Sequence, residues 1–254
     1  NELKGFINDD VNTIIMPYEC QPFQNKIFKK IKKIDNRIKT IGYVHAFPVA
    51  LPTNYIFRDG SPEKLIISGT DQLYCFEKYL NWTNSQLKVL PSTRYSKNAK
   101  NMSGYIYLPY DIPSIDIVIN SLKNLLDNYG KKIISNLIVK NHPLPKDPKK
   151  NLKTIKDINN LFLEHKNSTL KESYKSNLSI FIGSTSSPIE ALERGVEVMH
   201  ICDDPVFQSY TSALWPSIKV KKINENTYKY QLLKKGNLIQ LGESSKTFIE
   251  GYLN

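Results

Sequence analysis

The sequence predicts an α/β protein built on Rossmann-like parallel sheets, and three observations predict it. Short β-rich apolar runs alternate with helical patterns along the chain, the signature of parallel strands joined by crossover helices. With 254 residues and 40% hydrophobic content, the chain has enough apolar mass for one large or two small globular cores. The alternation is most regular from Gly104 onward, which predicts two lobes, 1–103 and 104–254, parted by the polar stretch Ala99 to Gly104.

In the first lobe, strands are expected at Thr13 to Pro17, Thr40 to Val44, Leu65 to Ser68 and Leu87 to Leu90. Pro22 opens a helix where its missing N–H costs nothing, and a second helix runs from Asp71 to Tyr79. Two long polar stretches, Ala46 to Glu63 and Ser92 to Ser103, read as loops, and loops of that length inside a domain are usually functional or mobile. The chain opens on Asn1 rather than Met, so this lobe is expected to be incomplete here. In the second lobe, Tyr105 to Leu108, Leu137 to Lys140, Leu178 to Ile182 and Val196 to Ile201 read as strands. Ser114 to Tyr129 reads as an amphipathic helix, and Pro188 to Arg194 as a helix that Gly195 stops.

Composition excludes several classes. No apolar run approaches the roughly 18 to 20 residues of a membrane span, and the opening NELKGFINDD lacks a signal-peptide core, so a cytoplasmic protein is expected. Cys20, Cys75 and Cys202 share no close spacing with each other or with the four histidines, so neither a metal site nor a disulfide framework is expected. There is no GxGxxG and no GxxxxGK[ST], which argues against a nicotinamide dehydrogenase or a P-loop NTPase; no resident cofactor is expected. The net charge of +11 comes mainly from lysine in an Ile-, Asn- and Tyr-rich chain, a bias that AT-rich codons give by themselves. Lys29, Lys30, Lys32 and Lys33 alternate with Ile27, Phe28, Ile31 and Ile34 and read as the wet face of one helix.

Two constellations carry chemistry. Leu137-Ile138-Val139-Lys140-Asn141-His142-Pro143 is a strand that ends in Lys-Asn-His-Pro. Ligands in open α/β sheets lie outside the carboxyl ends of the strands, so Lys140, His142 and Pro143 are expected at a ligand, with the cation and imidazole against a phosphate leaving group. The structural alternative is a strand end that His142 caps and Pro143 turns. Phe181-Ile182-Gly183-Ser184-Thr185-Ser186-Ser187 runs from a strand through a glycine and four hydroxyls into a helix. Unpaired N–H groups and hydroxyls converge there on one anion-sized spot, and Glu190, one turn on, is expected to accept from ribose hydroxyls. The alternative is an ordinary serine N-cap followed by a first-turn glutamate, worth about 1 kcal/mol.

Val-Lys-x-His-Pro on one strand, followed by Gly-Ser-Thr-Ser-Ser-x-x-Glu-Ala-Leu-x-x-Gly at the next strand-helix unit, resembles the C-terminal domain of GT-B glycosyltransferases of bacterial surface carbohydrate synthesis. The pattern is similar to that of bacterial sialyltransferases and Kdo transferases, which use CMP-activated sugars, and of CDP-glycerol polymer transferases. The resemblance spans residues 104–204 and implies a GT-B two-lobed architecture. It implies that His142, Ser184, Thr185 and Ser186 contact the nucleotide phosphate and ribose.

In the first lobe, Tyr18-Glu19-Cys20-Gln21-Pro22-Phe23 looks like the Glu-x-Gln-Pro element of surface-carbohydrate proteins, and Gly42-Tyr43-Val44-His45 ends a strand on a polar residue. Glu19 or His45 is the expected base for the acceptor hydroxyl; for His45 the alternative is an anchor for the long loop. Asp59 reads as a turn residue and Asp71 as a helix-start residue, and Asp203-Asp204-Pro205 lacks the Asp-x-Asp spacing of metal-dependent transferases. The expected activity is therefore an inverting, metal-independent transfer from a nucleotide sugar to a glycan or lipid-linked acceptor, with peripheral contact at an anionic membrane face and no nucleic-acid partner. Rival readings are a sugar-nucleotide epimerase of the UDP-N-acetylglucosamine 2-epimerase type and a non-catalytic basic module for nucleic acid or membrane surfaces. The first half offers few of the ring-contacting carboxylates and histidines that an epimerase needs, and no RRM, KH or helix-turn-helix pattern supports the basic module.

Overall fold

β-branched runs bounded by polar turns become parallel strands in both halves of the chain. The computed structural model describes residues 5, 7, 10–98, 101–165 and 176–243. The chain divides into a first unit of Asn1–Pro48, Pro52–Ala99 and Lys234–Asn254, and a second of Val49–Leu51 and Lys100–Leu233. A single cut between 103 and 104 misses this return: from Lys234 the chain rejoins the first unit. Ala99 and Lys100, in the stretch expected to part the lobes, lie outside the described residues.

The first unit holds a parallel sheet of β1 (Thr13–Pro17), β2 (Lys39–Tyr43), β3 (Lys64–Ile67) and β4 (Leu87–Val89), ordered as they occur in the sequence. Helix α1 (Pro22–Ile34) joins β1 to β2, and α2 (Thr70–Tyr79) joins β3 to β4. Every step moves the same way, so right-handed crossovers put the connections on one face. One aromatic cluster accordingly collects Phe28 of α1, Tyr18, Tyr55 of the β2–β3 loop, Phe76 of α2 and Trp82, with Tyr55 and Phe76 centroids 5.3 Å apart. Trp82 Nε1 donates to the Tyr55 carbonyl at 2.7 Å, which ties the long loop expected from Ala46 to Glu63 to this core. The lysine face of α1 is solvated as expected, with Lys29 paired to Asp59 and Lys32 to Glu63.

The stretch Ser92 to Ser103, expected as a loop, begins with β5 (Ser92–Ser96), which pairs in parallel with β12 (Leu241–Gly242). Its partner lies far downstream, so no local pattern announces the pairing. The returning chain passes so close to Gly69 that a Cβ there would sit 2.1 Å from the Leu238 carbonyl oxygen. Only glycine admits that approach.

In the second unit, β6 (Tyr105–Tyr107), β7 (Ile138–Lys140), β8 (Leu178–Ile182) and β9 (Glu197–Ile201) are parallel. An antiparallel hairpin of β10 (Ile218–Lys222) and β11 (Thr227–Leu232) extends the sheet, giving the order β10-β11-β9-β8-β6-β7. The helices are α3 (Ile115–Asn128), α4 (Lys131–Ser135), α5 (Pro148–Leu163), α6 (Ser187–Glu193) and α7 (Pro205–Gln208). Ile106, Ile180, Met199 and Ile201 point to one face of the sheet and form a core with Leu122 of α3 and Ile158 of α5. The alternate residues Tyr107, Phe181 and His200 take the opposite face, where the Tyr107 and Phe181 rings stack 4.8 Å apart. The fold is thus α/β with parallel-strand sheets, to which the hairpin adds an antiparallel edge that the sequence reading lacks. Among the described residues, no helix is long and apolar enough to cross a membrane.

Candidate functional site

The strand order of the second unit reverses at one place. From β6 the chain goes to β7 on one side, then crosses to β8 on the other side of β6 and continues outward to β9. Open α/β sheets bind ligands at this switch point, outside the carboxyl ends of the two strands whose connections diverge. Here those strands are β6 and β8, and the loops that leave them are 108–114 and 183–186. The loops touch: a Cβ on Gly183 would meet Pro109 Cγ at 3.3 Å and Pro113 Cδ at 3.4 Å, and Gly183 has φ +68. Both facts demand glycine at the base of the hydroxyl turn.

The turn carries unused donors. Gly183 N–H donates to Ile201 O, and Ser187 N–H donates to Thr185 Oγ1 at 3.2 Å. The three N–H groups between them, on Ser184, Thr185 and Ser186, have no protein partner among the described residues. Ser186 is the N-cap of α6, but its side chain makes no capping bond, and the Ser184 hydroxyl is exposed and likewise unpartnered. The side-chain cap of the alternative reading is therefore absent: Pro188 at N2 has no N–H to give, and Thr185 Oγ1 instead accepts from Ser187 N–H at N1. Successive backbone N–H groups after a left-handed residue form a nest, a concavity that binds anions.

A buried network holds the nest from beneath. His200 is fully buried in β9; its Nε2 donates to the Gly183 carbonyl at 2.7 Å, and its Nδ1 accepts from the Tyr230 hydroxyl at 3.1 Å. Tyr230 Oη in turn accepts from Tyr210 N–H at 3.1 Å, and Tyr210 Oη donates to the Thr185 carbonyl at 3.2 Å. Every donor finds an acceptor only when His200 is neutral with its proton on Nε2. Burial enforces that state by pushing the His200 pKa down to about 4, against the Gly183 carbonyl bond, which raises it. His200, Tyr210 and Tyr230 escape the sequence reading. The available signal is a lone histidine within the apolar strand Val198-Met199-His200-Ile201, directly after the helix that follows the hydroxyl turn.

The other expected contacts fall variously. His142, just past β7, holds Nδ1 against the backbone of Leu144, 3.1 Å from its nitrogen and 3.0 Å from its carbonyl oxygen, and its ring meets Tyr110 of the 108–114 loop edge-on at 5.8 Å. Lys146, Asp111 and the Tyr110 carbonyl tie the same two loops together, while Pro143 is exposed at the turn. Lys140 is committed elsewhere: Nζ lies 3.3 Å from the Tyr105 ring centroid, back toward the amino end of β6. Glu190 Oε1 accepts from Arg194 at 2.7 and 3.0 Å, so its carboxylate is already engaged on α6.

No family model matches the chain, and neither a curated protein nor a solved structure does. Function must therefore be read from the site alone.

In the first unit, Glu19 and His45 follow the adjacent strands β1 and β2 at the same edge of the sheet. The Glu19 backbone is fixed: its N–H donates to Gln24 Oε1 at 3.0 Å and its carbonyl accepts from Asn54 Nδ2 at 3.1 Å. Gln24 also caps α1 through Gln21 N–H, so the Glu-x-Gln-Pro element serves as a rigid strand-to-helix turn. Cys20, with φ +59, is its strained centre, and burial pushes that thiol up to about 11. Among the described residues the Glu19 carboxylate has no ion pair. His45 Nε2 lies 3.1 Å from Arg94 Nη1, a group that only donates, so the Nε2 lone pair is occupied. Asp59 is an exposed turn residue, Asp203 accepts from Gln208, and Asp204 caps α7. Among the described residues no group of three or more His, Cys, Asp or Glu side chains is arranged to hold a metal ion.

Proposed function

We propose that this chain is a glycosyltransferase of the GT-B type that moves a sugar from a nucleotide-activated donor, a CMP-sugar in the favoured case, to a hydroxyl of a surface glycan or glycolipid. The observation that carries the reading is the nest at the switch point: three consecutive unpaired N–H groups and two unpaired hydroxyls on Ser184 to Ser186, locked by a buried neutral histidine.

On this reading the nest accepts the nucleotide phosphate. As the sugar–phosphate bond breaks, negative charge grows on the departing oxygens, and fixed donors stabilise it without reorganising. Removing one such donor typically costs about 100-fold or more in turnover. His142 presents its imidazole Nε2 edge to the ligand, and Tyr110 beside it offers an exposed ring face to a base or sugar. His200 touches no reacting atom and acts as a positioning residue. Of the two first-unit candidates for acceptor activation, Glu19 keeps a free carboxylate whereas His45 has its Nε2 occupied, so Glu19 is the proposed base.

The test is a thermal-shift screen with CMP, CDP, UDP and GDP. A ligand that binds only the native state at about 100 times its Kd adds about 2.7 kcal/mol. The expected result is a rise in Tm with one nucleotide, lost in Ser184→Ala/Ser186→Ala and reduced in His142→Ala. Absence of any shift in the parent chain, or an undiminished shift in the double variant, overturns the reading.

A further inference from the structure

The hairpin β10–β11 carries a feature that the transferase reading does not use. A cavity of about 440 Å³ is walled by Lys219, Lys221, Lys222 and Lys229 together with Tyr129 and Gln231. In register, Lys221 stands directly opposite Lys229 and Lys219 opposite Gln231, so three ammonium groups share one face of a two-stranded ribbon. Like charges directly opposite destabilise a strand pair.

Compensation within the protein is partial. Glu197 pairs with Lys229, and the Tyr129 hydroxyl, which donates to Glu197, accepts from Lys229 at 3.0 Å. That triad fixes one wall and accounts for one lysine. The carboxyl end of α3, which reaches the cavity at Asn128 and Tyr129, supplies about half a negative charge. Lys219, Lys221 and Lys222 remain, exposed and without an ion pair among the described residues, and no carboxylate is among the residues lining the cavity.

The geometry points to an anion site here, separate from the nest, for a compact ligand with two phosphate groups. The volume falls within the roughly 300–1,000 Å³ of small-molecule sites, and the fixed Lys229–Tyr129 pair leaves Lys219, Lys221 and Lys222 as the charges that meet the ligand. Lysine meets phosphate as a point charge, so charge and spacing decide binding more than the identity of the attached group. A free diphosphate and a lipid headgroup with two phosphates share that chemistry.

The test is calorimetric titration of inorganic pyrophosphate into the full chain and three variants. Lys219→Ala/Lys221→Ala is expected to weaken binding about ten-fold or more, the worth of about one charge-assisted contact. The charge-matched control Lys26→Ala/Lys30→Ala, on the solvated face of α1, is expected to bind as the parent does, and the nest variant Ser184→Ala/Ser186→Ala is expected to keep the hairpin-dependent binding. In parallel, phosphatidylcholine vesicles with and without cardiolipin, whose headgroup has two phosphates, are tested for co-sedimentation. Cardiolipin-dependent binding displaced by pyrophosphate assigns the site to a headgroup, and pyrophosphate binding alone assigns it to a soluble diphosphate. The proposal is overturned if the parent binds neither probe, if the α1 control loses as much affinity as the hairpin variant, or if the nest variant alone abolishes binding. Circular dichroism checks that each variant is folded. Should the alanine pair fail to fold, Lys221→Gln, which keeps the stem, repeats the measurement.

Discussion

His200 is uncharged at neutral pH because burial removes the water that would solvate an imidazolium, and that single fact fixes the shape of the hydroxyl turn. Its folded pKa, about 4, lies below the unfolded value of about 6.5, so the unfolded chain binds the proton more readily. The stability tied to the neutral ring is therefore complete above about pH 6.5 and is lost progressively as pH falls toward 4, by about 3 kcal/mol. Thermal unfolding between pH 7 and pH 4 is expected to show this loss. His200→Gln, which keeps a donor for Gly183 and an acceptor for Tyr230 but does not titrate, is expected to flatten it. At the mouth of the turn the expectation reverses: Ser184→Ala/Ser186→Ala leaves the unfolding free energy within about 0.5 kcal/mol of the parent, since those hydroxyls bond nothing in the protein among the described residues. Gly183→Ala combines a left-handed φ with a close contact to Pro109, and is expected to cost about 1–2 kcal/mol by the same unfolding measurement.

Among the elements, legibility in the sequence tracks where the stabilising partner lies. β1 and β8 have the expected bounds because apolar β-branched runs between turn residues fix them locally, and α6 is announced by its glycine stop. Helix α5 escapes because its buried face opens on Asn151 and Thr154, which lower the apolar contrast; they are satisfied by the Asn141 side chain at 2.6 Å and the Lys150 carbonyl at 2.9 Å. The hairpin escapes because its outward positions are lysines and its partner pattern is antiparallel. The hydroxyl turn was visible as a cluster, whereas its support was not, because a hydrogen bond from His200 to Gly183 leaves no trace in either local pattern. Lys140 likewise stands at the expected strand end, but its side chain turns back onto Tyr105. At this scale Asp147→Ala is expected to lower stability by about 1 kcal/mol in denaturant unfolding, since its carboxylate caps α5 through Lys150 N–H at 3.0 Å.

For the molecule as a whole, the segment from Lys234 accepts hydrogen bonds from groups spread over the first unit. The carbonyls of Asn237, Leu238, Gln240 and Gly242 accept from Asp71 N, Gln72 Nε2, Ser92 N and Lys97 N. A buried donor left unpaired costs about 1–3 kcal/mol, so loss of several approaches the roughly 5–15 kcal/mol by which a domain is stable. A chain ended at Leu233 is expected to lose hydrogen-exchange protection across residues 64–76 while keeping the protection of β6, β8 and β9 in the second unit. The same topology orders events during synthesis. A ribosome delivers β1 to β5 first, yet their last partner emerges only after residues 100–233 have been made. Of the two units, the one begun first is completed last, and until then β5 lacks the strand it pairs with.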